Sequence, residues 1–245
     1  MRLKKLRHPA VIGQSIVDNR VYIDSDQYNE ALQTLFLNKR IVLSKRFRFF
    51  PYTKEKSEVG YCSAPYGNYT AHHCVCSLCS GNCKGKTVEL FDDEKTTAEV
   101  ITCNEPKPLW SRLMCAILAA FGYTDVKRCS QLDWCLLSKS NPLDGRKLLG
   151  VLSAGPADGS FAIFSPFSVD VERDRELVGT QTESISYDFY ENKVVQWKGV
   201  IDDVIVANVS DENCLVQIYG YVVKPLDKVT IKPGYSGSPL FLATI

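Results

Sequence analysis

One serine in this chain is framed for nucleophilic chemistry. It lies in Pro233-Gly234-Tyr235-Ser236-Gly237-Ser238-Pro239-Leu240-Phe241, where nearby glycines permit a tight turn that thrusts the hydroxyl outward and leaves the neighbouring amides unobstructed. In acyl transfer the N–H groups of Gly234 and Ser236 would point at a developing oxyanion. The same short pattern also occurs in ordinary turns, so the serine needs company. A hydroxyl is a poor nucleophile at neutral pH without an imidazole in reach. The chain holds three histidines: His8 in a basic terminal stretch, and the adjacent pair His72 and His73, which could equally be a surface or metal-binding feature. A carboxylate completes the set. Asp133 is embedded in the apolar run Gln131-Leu132-Asp133-Trp134-Cys135-Leu136-Leu137, where an unpaired charge is costly and a committed partner such as a histidine N–H is expected. The plain alternative is a strand-edge aspartate facing water.

A second cluster is made of sulfur. Cys74, Cys76, Cys79 and Cys83 crowd beside His72, and His72, Cys76, Cys79 and Cys83 form a candidate structural zinc set, although the spacings are tighter than those of ordinary zinc ribbons. Zinc on His73 would occupy the lone pair that a general base needs, whereas zinc through His72 would leave His73 available. Thiols with no special role are the simplest alternative. Catalysis as read here needs no cofactor.

The elements that must position these residues are mostly strands. Apolar spacing over residues 26–37 predicts a short helix. From residue 41 short β-branched and aromatic runs follow, at Ile41–Leu43, Phe47–Tyr52, Val59–Cys62 and Thr87–Phe91. Leu109–Tyr123, between Pro108 and Gly122, reads as a mostly buried helix. Further strands are expected at Leu148–Leu152, Phe161–Phe164, Ser184–Tyr190, Val194–Trp197, Val200–Val209, Cys214–Val223 and Val229–Ile231, a spacing that suits a sandwich or barrel. Glu172–Glu176 reads as an exposed charged loop. The expected division is an extension over 1–40, an N-terminal β unit over 41–140 carrying His73 and Asp133, and a C-terminal one over 148–245 carrying Ser236.

The 245 residues carry a formal net charge of +1, so no global field argues for nucleic acid or an acidic membrane. Arg2, Lys4, Lys5 and Arg7 form a small basic cluster, read as a solvated end. No run reaches the roughly 18 apolar residues of a membrane span, and no signal peptide is evident. These readings predict a soluble chain in the cytoplasm, with its ten cysteines mostly reduced.

The three motifs together resemble the trypsin-like, chymotrypsin-fold serine proteases. Thr70-Ala71-His72-His73-Cys74 looks like the Thr-Ala-Ala-His-Cys signature, a likeness that selects His73 and places Cys62 where the family has the partner of the cysteine after the histidine. Asp133-Trp134-Cys135-Leu136-Leu137 and Gly234–Leu240 are similar to that family's aspartate and serine segments. A nearer likeness is to the polyprotein proteases of sobemovirus- and polerovirus-like positive-strand RNA viruses, whose serine motif Thr230–Leu240 reproduces with a small shift of the threonine. Leu149-Gly150-Val151 followed by Phe161–Phe164 also resembles the stretch after their aspartate.

The resemblance implies a mainly β, double-barrel serine endopeptidase. Ser236 would be nucleophile, His73 general base and Asp133 its orienting partner, with Gly234 and Ser236 forming the oxyanion hole. Thr230, Ile231 and Lys232 would line the substrate pocket. The implied substrate is a viral polyprotein that includes the chain's own flanks. No histidine follows His73, which argues against a glutamine-reading pocket built on histidine. Three departures stand out: membrane helices do not precede the motif, a helix lengthens the His-to-Asp interval, and Gly237–Ile245 is little chain for finishing a second barrel, which is therefore expected to be incomplete. The competing reading is a cysteine-rich, zinc-binding nonstructural protein that acts by binding RNA or host proteins.

Overall fold

The computed structural model describes residues 14–17, 20–23, 48–49, 61–62, 67–76, 78, 83–90, 97–105, 107–121, 126–141, 147–155, 160–188, 191, 193–211, 214–231 and 235–243. The chain is mainly β. In order come β1 (Gln14–Val17), β2 (Arg20–Ile23), β3 (Arg48–Phe49), β4 (Tyr61–Cys62), β5 (Gly67–Thr70), β6 (Thr87–Leu90), β7 (Thr97–Cys103), helices α1 (Leu109–Ala120) and α2 (Val126–Cys129), and β8 (Cys135–Asn141). The rest comprises β9 (Leu148–Ala154), β10 (Ala162–Pro166), α3 (Val171–Glu176), β11 (Gln181–Asp188), β12 (Lys193–Asp211), β13 (Cys214–Pro225) and β14 (Pro239–Leu242).

Six strands close into a barrel. Its ring runs β12-β11-β14-β9-β10-β13 and returns from β13 to β12, so these strands leave no open edge between them. The expectation of an incomplete second barrel is corrected here: β14, directly after the serine motif, pairs on one side with β11 and on the other with β9. The β1–β2 hairpin attaches to β12 through a parallel pairing of Val21 with Ala207. A second sheet has the order β4-β3-β6-β7-β8-β5.

The apolar content of the barrel strands explains its core. Phe164, Trp197, Ile205, Tyr219, Tyr221, Val222 and Leu240 are among its buried side chains. Two expected strands, Val194–Trp197 and Val200–Val209, are one strand, β12, because Lys198 and Gly199 between them pair with Glu183 and Thr182 of β11 without a break. The run Val229–Ile231 is not a strand: Thr230 is exposed and Ile231 turns into the core. At Gly150 on β9 a Cβ would collide with the backbone carbonyl of Ser165 on β10, so the close approach of these two strands requires glycine there.

Three further expectations change. The predicted helix at 109–123 exists as α1, but its apolar face is not buried: Leu109, Trp110, Leu113 and Phe121 are each more than 60% exposed. Glu172–Glu176 is not an exposed loop but lies in α3, whose first turn is capped by Asp170 accepting from the amide of Arg173. Within that helix Asp174 is buried and accepts hydrogen bonds from the hydroxyls of Tyr219 and Tyr221, both at 2.6 Å. Burial first, and then the Asp174 carboxylate, push both phenols above their ordinary range. Cysteines form disulfides, Cys76–Cys83 and Cys115–Cys129, and Cys74 is also disulfide-bonded, to a partner outside the described side chains. Mostly reduced thiols is thus not the state of this structure; among the described residues Cys103 and Cys135 are free. The expected helix at 26–37 and strand at 41–43 lie outside the described residues.

Candidate active site

Asp133 sits at the seam between sheet and barrel because the segment before β8 is tied to both. Gln131 pairs with β13, its amide donating to the Gln217 carbonyl at 2.7 Å and its carbonyl accepting from Tyr219 at 3.0 Å. Asn104, just after β7, holds the other flank: its Nδ2 donates to the Leu132 carbonyl at 2.8 Å and its amide to the Trp134 carbonyl at 3.0 Å. The Asp133 amide donates to Ser165 Oγ at 2.7 Å. Beside it Tyr69 of β5 packs on Phe167 with ring centroids 4.3 Å apart, and Trp134 meets both edge-on at 6.0 Å, a cluster spanning the two sheets.

The partner predicted for the aspartate is the one it has. His73 lies in a 3-10 turn, His72–Cys74, that follows β5. Its Nδ1 is 2.7 Å from Asp133 Oδ2, and its backbone amide donates to Oδ1 at 2.9 Å. Ser153 Oγ, from β9, donates to the same Oδ2 at 2.5 Å. Both His73 and Asp133 are fully buried. Burial alone would raise the Asp133 carboxyl, but the charge and hydrogen bonds of His73 and the Ser153 hydroxyl outweigh it and hold it below the ordinary carboxylate range.

Ser236 occupies a turn bonded to the same barrel strand. The Tyr235 carbonyl accepts from both the Ser238 amide at 2.9 Å and the Ser238 hydroxyl at 2.6 Å. Gly237 takes φ +89°, the left-handed conformation such a turn needs at that position. The Gly237 amide donates to the Leu152 carbonyl and the Leu152 amide to the Ser238 carbonyl. Two consecutive residues of β9 therefore serve the site, Leu152 bonding the serine turn and Ser153 the aspartate. The Sγ of Cys74 lies 3.9 Å from His73 Nε2 and 4.0 Å from the Ser236 carbonyl oxygen, so the serine turn and the imidazole flank one sulfur atom. Ser236 Oγ is buried and has no hydrogen-bond partner among the described residues.

The structure thus brings His73, Asp133 and the Ser236 turn into one region. Gly234, Lys232 and Cys79 lie outside the described residues. Thr230 is exposed, and Ile231 packs in the barrel core. Sequence reasoning missed Ser153, Ser165 and Asn104. The available signal was a hydroxyl inside each of two strands, LLGVLSA and AIFSP, that are otherwise nearly all apolar.

His72 makes no hydrogen bond to this pair. It is fully buried, and neither ring nitrogen has a hydrogen-bond partner among the described residues. Burial lowers its pKa from 6.5 to about 4 despite the Asp133 charge, so the ring is neutral at pH 7. Of the zinc set expected from sequence, His72, Cys76, Cys79 and Cys83, Cys79 lies outside the described residues, and a different group converges among those described. Cys76 is bonded to Cys83, and the residues grouped with His72 are Cys83, Cys103 and Cys135. A hydrogen bond with Cys135 is the main cause lowering the Cys103 thiol to about 6 against the effect of burial, while burial raises Cys135.

A β barrel joined to a β sheet, with a buried imidazole–carboxylate pair at the seam, defines a mainly β protein of two units. Residues 37–243 match the model of a family described as "Putative filamentous viruses peptidase", and the chain belongs to that family. It is also 33% identical over 195 residues, 75% of this chain and 98% of the relative, to an "Uncharacterized 20.2 kDa protein" of Thermoproteus tenax virus 1 (strain KRA1). No solved structure matches the chain. Among the described residues no helix is long and apolar enough to cross a membrane.

Proposed function

We propose that this viral peptidase-family protein is a serine endopeptidase of chymotrypsin-like type that cleaves a viral polyprotein through an acyl-enzyme. The observation that carries the reading is the 2.7 Å contact of His73 Nδ1 with Asp133, in a site whose other side is the Ser236 turn. With Nδ1–H donated to an ionised Asp133, the lone pair of His73 is on Nε2, the atom that takes the Ser236 proton as Oγ attacks the scissile carbonyl. The carboxylate then stabilises the imidazolium, which next protonates the leaving amine. Water, activated by the same imidazole, releases the acyl group. The amides of Gly234 and Ser236 are the proposed oxyanion donors. In the segment Thr230 to Lys232, exposed Thr230 is a candidate contact for substrate, while Ile231 supports from the core side.

Ser236 Oγ makes no hydrogen bond among the described residues and is buried, so in this mechanism substrate entry opens the seam and rotates the hydroxyl toward Nε2; catalytic hydrogen bonds commonly tighten only in the complex. The test is labelling with a fluorophosphonate probe. We expect incorporation at Ser236 that Ser236→Ala abolishes and His73→Ala reduces on the order of 10³-fold or more. Label that persists in a folded Ser236→Ala variant, or none in the folded parent chain, would overturn the serine mechanism.

A further inference from the structure

The strongest group of unassigned side chains is the sulfur-rich one behind the acid–base pair. His72, Cys83, Cys103 and Cys135 are all buried, and one donor atom from each lies within 4.8 Å of all the others. They come from four places in the chain: the 3-10 turn, the loop before β6, the end of β7 and the start of β8. Cys103 and Cys135 face each other directly in the β7–β8 register, and both are free. His72 supplies an independent sign of a missing ligand. An imidazole offers one donor and one acceptor, and here both nitrogens are buried without a hydrogen-bond partner among the described residues. Buried polar atoms in native proteins are nearly always satisfied, by protein, water or an ion.

We propose that His72, Cys83, Cys103 and Cys135 form a closed, tetrahedral site for a structural zinc ion in the reduced chain. Three thiolates and one imidazole are an established donor set for such sites, and with Zn–S near 2.3 Å the sulfurs would stand about 3.8 Å apart, a contraction of about an ångström or less from the present spread. All four positions are filled by protein, so the ion is not the catalyst. In this structure Cys83 is joined to Cys76, and disulfide and metal are alternative uses of the same sulfur. A dithiol reductant gives two electrons and two protons to the Cys76–Cys83 bond, yielding two thiols and its own disulfide. Zinc then displaces three protons, from Cys83, Cys103 and Cys135, and takes the lone pair of neutral His72.

The metal site stands without the peptidase reading, but its consequence rests on it. His72 adjoins His73, and Cys135 lies two residues beyond Asp133. One ion would therefore fasten both backbone segments that carry the acid–base pair.

The test uses the full chain, reduced with a dithiol, stripped with a chelator and titrated with cobalt and then zinc. We expect one ion per chain, with the intense thiolate-to-cobalt and tetrahedral d–d absorption of a sulfur-rich site, bleached by one equivalent of zinc. Cys76→Ala, which frees Cys83, should bind without added reductant. The double variant Cys103→Ser/Cys135→Ser should lose binding at least 100-fold, and Ser236→Ala should bind as the parent does. Absence of stoichiometric metal in both the reduced parent and Cys76→Ala overturns the proposal whether or not the double variant folds. Recovery of a Cys103–Cys135 disulfide from protein kept reduced overturns it too. Metal bound without fluorophosphonate labelling would sink the serine mechanism and leave the zinc site standing.

Discussion

The two β units of this molecule are held together by different chemistry. The barrel buries a large contiguous core of Val, Ile, Leu and aromatic side chains. Among the described residues the core of the second sheet has no aromatic ring, and five of its eleven members are cysteines: Cys74, Cys76, Cys83, Cys103 and Cys135. Apolar burial stabilises roughly in proportion to area, and a sheet whose buried core is Ala, Val and Cys with one Leu, Leu137, has little area to bury. Units too small to build an adequate core are commonly stapled by disulfides or metal. The acid–base pair lies between, its histidine on the stapled sheet and its serine turn on the packed barrel. The difference teaches that the site's geometry depends on sulfur chemistry on one side and ordinary packing on the other.

The comparison can be broken at several points, beginning with the site itself. Asp133→Asn keeps the shape but leaves the wrong histidine tautomer, so probe labelling or peptide cleavage should fall on the order of 10⁴-fold while circular dichroism stays native. A near-parental rate would detach the carboxylate from the chemistry. In the barrel, Asp174→Ala strands two buried tyrosine hydroxyls and should cost about 3–5 kcal/mol in urea denaturation; a loss within experimental error would mean that water replaces the carboxylate there.

On the sheet side, reducing the protein in the presence of a chelator should remove about 2–4 kcal/mol of local stability. Amide exchange should then accelerate in β7 and β8 and not in β9, β10 or β13. Uniform acceleration would show that the two units unfold as one and that the contrast has no energetic meaning. Gly150→Ala, which forces a Cβ against the Ser165 carbonyl, should destabilise the barrel by about 1–3 kcal/mol and lower activity as well, because Ser165 holds the Asp133 amide.

The effect confined to the narrowest range of conditions concerns pH. His72 has a folded pKa of about 4 against an ordinary 6.5, so between those values the unfolded chain binds the extra proton and stability falls as pH is lowered. The contribution is fully present above 6.5 and exhausted below about 4. Melting temperatures of metal-free parent and His72→Gln should differ in slope across that window alone; parallel curves would show that His72 does not titrate on unfolding.

Much of this was legible in the residues. A carboxylate within an apolar run had to have a partner, and Asp133 has His73. Glycine near Ser236 meant a tight turn, and Gly237 takes the left-handed conformation. Closure of the barrel was not legible, because it depends on a four-residue strand, β14, finding two partners distant in sequence. The exposed apolar face of α1 was missed because composition reports hydrophobicity, not which neighbours arrive to cover it. Asp174 reads as a loop charge in the sequence because nothing local reveals that Tyr219 and Tyr221 come to meet it. The group around His72 was not legible for the same reason: proximity in sequence points to Cys76 and Cys79, whereas strand pairing brings Cys103 and Cys135.

Leu152 and Ser153 make β9 a common mounting for the Ser236 turn and for the Asp133 carboxylate that holds His73. Any force that slides this strand along its neighbours carries the serine turn and the aspartate's hydroxyl prop together, preserving their spacing, whereas prising the barrel off the sheet pulls the prop from the carboxylate and, in the proposed mechanism, would stop turnover without altering a reacting atom. A small molecule wedged into that seam would therefore act as an inhibitor without resembling any peptide.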